Sequence, residues 1–299
     1  MDSSSRAKQR RARQSLGFKR TKSRFQIGCL ALDMLYLLLL LDPFLTLCNA
    51  SDDLVEIESP MPELATEERD QYLCTEVKLP DVAYSLVEIQ PLADQKQVHH
   101  MLLFGCVTPA KSEKVWSCSM APACQGKREN VLYGWGRNAP PVTLPEGTGY
   151  TVGPGTTMPS VVLQVHYLEP RSKSDASGVK LVLSKRPVEY GVGMVAFASY
   201  FRIPPRERST VIENSCCFTG LFPSVGLATR VHTHALGRHV TLDVEGPSKL
   251  GRVVDIDPQK PQGFYPIEKP LKLVAGDILR ASCDFDSSDM VRLMLWYCK

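Results

Sequence analysis

Past residue 70 the chain is a succession of short apolar runs separated by turn-forming clusters. In the first half the runs are Tyr72–Val77, Tyr84–Ile89, His99–Phe104, Val131–Trp135, Val161–Tyr167 and Val179–Leu183. Turns rich in Pro and Gly separate them, such as Asn138-Ala139-Pro140-Pro141 and Gly153-Pro154-Gly155. No stretch there sustains a helical period, so each run predicts a strand. The second half repeats the pattern with Val192–Arg202, Arg208–Glu213, Gly226–Ala235, Val240–Val244, Phe264–Ile267, Leu271–Val274, Asp277–Cys283 and Met290–Tyr297. Many short strands with regular turns predict an all-β chain built as antiparallel sandwiches. The roughly 250 residues past the leader exceed the usual size of one domain, so two are expected. A joint falls at 184–192, where Lys185-Arg186-Pro187 and Gly191 interrupt the pattern, giving domains at 62–188 and 189–299. Residues 51–61, the start of an acidic stretch that runs to residue 70, read as a linker.

The histidines do not follow this even spacing. The chain has six, and five lie in three strand-like stretches. These are Val98-His99-His100-Met101, Gln164-Val165-His166-Tyr167 and Arg230-Val231-His232-Thr233-His234. Residues two apart on a strand share a face, so His232 and His234 form a two-pronged fork, with Arg230 on the same face if the strand is regular. His99 and His100 alternate, so both reach one metal only at a bulge or a strand end. Neutral imidazole suits zinc, copper, iron and nickel. Ligands in both halves place the chemistry at a cleft between domains.

Charge and cysteines set the compartment. Residues 1–50 carry nine Lys/Arg against three Asp, so they hold +6 and the remainder −3 of a total of +3. A mildly acidic body gives no reason to expect nucleic acid. A basic segment to Arg24, the apolar run Met34–Leu41 and small residues at Cys48 and Ala50 predict a signal peptide over 1–50, a membrane anchor being the weaker alternative. Eight of ten cysteines follow residue 50, an even set that fits disulfides in a secretory-granule lumen or outside the cell.

The segments His99-His100-Met101-Leu102-Leu103-Phe104-Gly105-Cys106, Arg137-Asn138-Ala139-Pro140-Pro141, Leu163–Tyr167, Arg230–His234 and Phe264-Tyr265-Pro266 resemble the peptidylglycine α-hydroxylating monooxygenase family from about Pro62 onward. The Leu-Leu-Phe-Gly-Cys continuation favours the peptide enzyme over the related dopamine β-monooxygenase. The resemblance implies two jelly-roll-like β-sandwich domains facing an interdomain cleft, each with one copper ion. It assigns His99, His100 and His166 to an electron-storing copper, and His232, His234 and a methionine to the catalytic copper. It makes Arg230 the anchor for a substrate carboxylate, a role that suits a guanidinium fork. Ascorbate is then the reductant, O2 the co-substrate and glycine-extended peptides the substrates, hydroxylated at the Cα of the terminal glycine. A separate lyase would follow, and the chain is expected to be a monomer. The resemblance also pairs Cys74 with Cys118 and Cys106 with Cys124, and suggests Cys216 with Cys298; Cys217 has no family counterpart and is left to pair with Cys283.

The likeness breaks near the end. Only Asp284–Asp289 separate Cys283 from Met290, where the family has a longer loop, and Ser287-Ser288-Asp289-Met290 still resembles the family's approach to its ligand. Met290 is the expected thioether ligand, with Met294 as the alternative on the same strand face. Met294 and Arg292 stand where family members carry a tyrosine and an asparagine that hold substrate. A second reading follows: a secreted copper-binding protein without turnover.

Overall fold

The computed structural model describes residues 53–118, 122–126, 129–290 and 294–298. The expected signal segment lies outside them. Among the described residues there is no α-helix, and none long and apolar enough to cross a membrane. The first eleven strands are β1 (Leu54–Pro60), β2 (Gln71–Val77), β3 (Tyr84–Leu92), β4 (His100–Cys106), β5 (Trp116–Ser117), β6 (Asn130–Gly136), β7 (Val142–Thr143), β8 (Thr148–Val152), β9 (Ser160–Tyr167), β10 (Gly178–Ser184) and β11 (Tyr190–Gly191). The remaining eight are β12 (Ser199–Ile203), β13 (Thr210–Cys217), β14 (Ser224–Thr229), β15 (Gly237–Glu245), β16 (Gly251–Ile256), β17 (Tyr265–Leu273), β18 (Ile278–Phe285) and β19 (Met294–Cys298). The chain is all-β.

Two sheets make the first half. One runs β1-β10-β3-β8-β11 with β7 on β3, and the other runs β5-β2-β9-β4-β6. Alternation divides the second sheet into two faces. Leu73, Val77, Met101, Leu103, Tyr133, Trp135, Leu163 and Val165 point to one side and share a buried core with Leu86, Ile89, Leu181 and Leu183 of the other sheet. The opposite parity sends Tyr72, Cys74, His100, Leu102, Cys106, Gln164 and His166 outward, and this second face carries the metal candidates. Disulfides Cys74–Cys118 and Cys106–Cys124 brace it, within a smaller buried cluster that includes Leu102, Phe104 and Trp116. They span separations of 44 and 18 residues, so the chain-entropy model assigns about 3–4 kcal/mol to each.

The second half holds a four-stranded sheet, β13-β18-β15-β16, and the pairs β12-β19 and β14-β17. Its cores centre on Val231, Val240, Val254 and Phe285, and on Val244, Leu271 and Leu279.

Several expectations need correction. Residues 51–61 are not a linker throughout: Leu54–Pro60 form β1, an edge strand on β10. The acidic residues there mask an alternation in which Val55 and Ile57 turn inward while Glu56 meets Lys180 outside. Tyr190 and Gly191 still pair with β8, so the first half extends slightly beyond residue 188. The expected strand over 226–235 stops at Thr229, and of that over 290–297 the described part is β19, Met294–Cys298. Cys216 and Cys217 are free thiols, so the pairings with Cys298 and Cys283 do not form. Cys283 is disulfide-bonded, and to neither of them. Cys216 and Cys217 face opposite sides of β13, which keeps the two thiols in unlike surroundings, one half-buried and one exposed.

Candidate metal centre

Antiparallel pairing sets His100 of β4 directly opposite His166 of β9. His99 lies just before β4 begins, and its backbone N–H donates to the His166 carbonyl at 2.9 Å. At that strand end its side chain escapes strict alternation and turns to the same side as His100. The three Nδ1 atoms then converge, with His99–His166 at 3.1 Å, His99–His100 at 3.2 Å and His100–His166 at 3.5 Å. Three nitrogens bound about 2.0–2.1 Å from one ion in near-tetrahedral geometry lie roughly 3.3–3.5 Å apart. The spacing fits a metal ion held through Nδ1, and these three residues are the His/Cys/Asp/Glu group able to hold one among the described residues.

Two neighbours orient His166. Its Nε2 meets Asp70 Oδ1 at 2.7 Å, which places the ring proton on Nε2 and leaves the Nδ1 lone pair for a metal. Tyr72, paired with His166 across β2 and β9, stacks on the ring at 3.9 Å with planes 9° apart. Asp70 takes the left-handed conformation, φ 56°, in the turn leading into β2. Sequence reasoning missed both residues. Asp70 sits in an acidic stretch where one carboxylate looks like another, whereas Tyr72 had a legible signal in its parity with Cys74.

His232 and His234 arrive differently. They are not on a regular strand but in the extended segment after β14, which turns back through Ala235 and Leu236. Gly237 is required there: its N–H donates to the His234 carbonyl at 3.1 Å, and a Cβ would fall 2.0 Å from Thr233 Oγ1. The two rings lie 5.4 Å apart and reach the first set, with His99–His234 at 5.3 Å and His100–His232 at 5.4 Å. The five imidazoles therefore form one cluster, and the expected open cleft is closed at this point. Two glycines on the outward face of β6 let the halves meet. A Cβ on Gly134 would lie 2.8 Å from Arg230 Cζ, and one on Gly136 3.2 Å from Gln262 Oε1.

Burial keeps the cluster neutral. His99 is pushed down to about 4, first by burial and then by neighbouring His166 and His234. His100 and His232 lie well below the ordinary histidine value, again mainly through burial, with Arg230 adding to the effect at His232. His166 and His234 are lowered for the same leading reason. Neutral imidazoles are ligands at physiological pH, and a carboxylate, Asp70, opposes the cations Arg137 and Arg230 around them. The sixth histidine, His239, is exposed beside Asp255 and stands apart.

Two family models match: the copper type II ascorbate-dependent monooxygenase N-terminal domain over residues 56–174, and the C-terminal domain over 191–296. The chain belongs to the copper type II ascorbate-dependent monooxygenase family. Each family domain brings one set of the clustered histidines. The chain is 37% identical over 246 residues to peptidyl-glycine alpha-amidating monooxygenase of Mus musculus, covering 81% of this chain and 25% of that protein. It is 38% identical over 243 residues to the Rattus norvegicus protein, covering 79% and 24%. Dopamine beta-hydroxylase of Equus caballus is more distant, 26% identical over 276 residues, covering 84% and 45%. The chain spans about a quarter of the length of the curated peptidyl-glycine relatives. Copper, the family's metal, suits a set of neutral nitrogen donors.

Arg230 lies beside this cluster, its Nε donating to the Gln262 carbonyl at 3.0 Å. Met290 is half-buried after a turn pinned to residues 204–207, where Ser287 N donates to the Glu207 carbonyl at 2.7 Å and Arg206 N to the Ser287 carbonyl at 2.9 Å.

Proposed function

We propose that this chain is an ascorbate-dependent copper monooxygenase that hydroxylates the Cα of a C-terminal glycine in peptides. The observation that carries this reading is the convergence of three neutral histidine Nδ1 atoms within 3.5 Å of one another, next to a second histidine pair and an arginine. Each half is a jelly-roll-like β-sandwich with one copper ion. His99, His100 and His166 hold the first, and His232, His234 and Met290 the second. Copper, when bound, supplies one-electron storage and the reaction with O2, with ascorbate as the source of electrons. Arg230 grips the peptide's terminal carboxylate and so sets which carbon is presented to the second site. Apolar burial of the rings excludes water and keeps the histidines unprotonated as ligands. A soft thioether at Met290 favours the reduced metal. The disulfides support placement in the oxidising secretory pathway, where a separate lyase would cleave the hydroxyglycine product.

The test is oxygen uptake with a peptidyl-glycine, ascorbate and copper, with the product identified by mass spectrometry. Copper-dependent gain of one oxygen by the peptide is expected, lost when the peptide is amidated and has no free carboxylate. Copper binding without such a product would favour the binding protein without turnover.

A further inference from the structure

Gln262 is 2% exposed and has every hydrogen-bonding group engaged. Its side-chain NH2 donates to the Thr233 carbonyl at 3.0 Å and to the Pro258 carbonyl at 3.0 Å. Both partners only accept, so the amide orientation is settled and Oε1 must be the atom that faces His232. Oε1 meets His232 Nδ1, and an amide oxygen only accepts, so Nδ1 carries the proton. Nε2 of His232 is thereby the nitrogen with a lone pair. The main chain of the same residue does two other things. Its carbonyl accepts from Arg230 Nε at 3.0 Å, and its N–H donates to the Gly136 carbonyl of β6 at 3.1 Å. Gly136 pairs with His100, a ligand of the first set.

We propose that Gln262 is a positioning residue that fixes the tautomer and aim of His232 through its side chain, while its main chain fixes Arg230. One residue would then set the separation between the metal subsite and the carboxylate subsite. The proposal rests on the copper-monooxygenase reading. It divides the labour within one residue: a side-chain substitution disturbs the metal and leaves the carboxylate anchor in place.

The test uses Gln262→Met, which keeps length and bulk but removes the acceptor and both donors. Copper(II) titration followed by electron paramagnetic resonance resolves the two binding steps, and His232→Ala identifies the second. Loss of the partner on the non-ligating nitrogen of a metal-bound histidine costs about 10–100-fold in affinity. We expect that loss at the second site only, a changed resonance signal there, lower kcat, and KM for peptide within about twofold at saturating copper. A merely structural role would weaken both sites together and raise KM, and that result overturns the proposal. So does wild-type affinity with an unchanged signal. If the methionine variant does not fold, nitrogen NMR of the metal-free wild-type protein decides: His232 should carry its ring proton on Nδ1, and a proton on Nε2 refutes the role. A wild-type protein that takes no copper at His232 and His234 would instead defeat the functional reading itself.

Discussion

Replacing Asp70 with asparagine removes one negative charge from the edge of the three-histidine cluster and very little else. Asparagine tolerates the left-handed conformation that Asp70 adopts at φ 56°, where alanine would be strained. Its Oδ1 still accepts from His166 Nε2, now at 2.7 Å from the carboxylate, so the ring stays oriented. The charge sits one imidazole away from the converging nitrogens, about 7 Å from an ion bound there. One unit charge at that range is worth about 0.6–2.4 kcal/mol for an effective dielectric constant between 80 and 20. The Asp70 side chain is 76% exposed, which places the effect near the aqueous end, about 1 kcal/mol. Copper(II) and copper(I) differ by one charge, so Asp70→Asn should raise the first copper's reduction potential by about 40 mV. A potentiometric titration followed by electron paramagnetic resonance reads it, and the shift should shrink as salt is added. A potential that falls, or that stays within a few millivolts of wild type at low salt, would refute the electrostatic role of Asp70.

Acid should weaken the metal-free protein. His99 titrates near 4 when folded against 6.5 when unfolded, and His100, His166, His232 and His234 shift the same way. The unfolded chain binds more protons in that window, so stability is complete above about pH 6.5 and falls as pH drops toward 4. Melting temperature against pH checks this, and a flat profile from 6.5 to 4 contradicts it. Met290→Ile should abolish the copper–sulfur contact in X-ray absorption of the reduced protein, with hydroxylation lost and folding intact; a contact that survives there but vanishes in Met294→Ile moves the ligand to Met294.

Much of this was legible in the sequence because strands advertise themselves by alternation. Alternation required a bulge or a strand end if His99 and His100 were to reach one metal, and His99 sits just before β4 begins; the grouping of His166 with them came from the family resemblance. The disulfides of the first half followed from the family resemblance and form. What failed depended on tertiary contacts. His232 and His234 looked like a strand fork because Val, Thr and Leu surround them, but the chain turns back through Ala235 and Leu236, where the Gly237 N–H donates to the His234 carbonyl. The acidic charges of Glu56 and Glu58 hid β1, whose pairing with β10 requires only that Val55 and Ile57 point inward. Gln262 sits between Pro261 and Gly263 in a stretch that reads as a plain turn, and nothing local marks it as the partner of a residue 30 positions away. The closing of the cleft was equally silent, because it depends on Gly134 and Gly136 lacking side chains opposite Arg230 and Gln262.

The proposed function requires that two histidine sets, although packed into one cluster with rings as close as 5.3 Å across the two halves, remain two sites. Copper analysis after exhaustive dialysis of the reconstituted protein tests it most directly. Two copper ions per chain are expected, falling to one in His232→Ala with the first-set resonance signal retained. A single ion in the wild type, shared among the five imidazoles and lost entirely in His232→Ala, would contradict it.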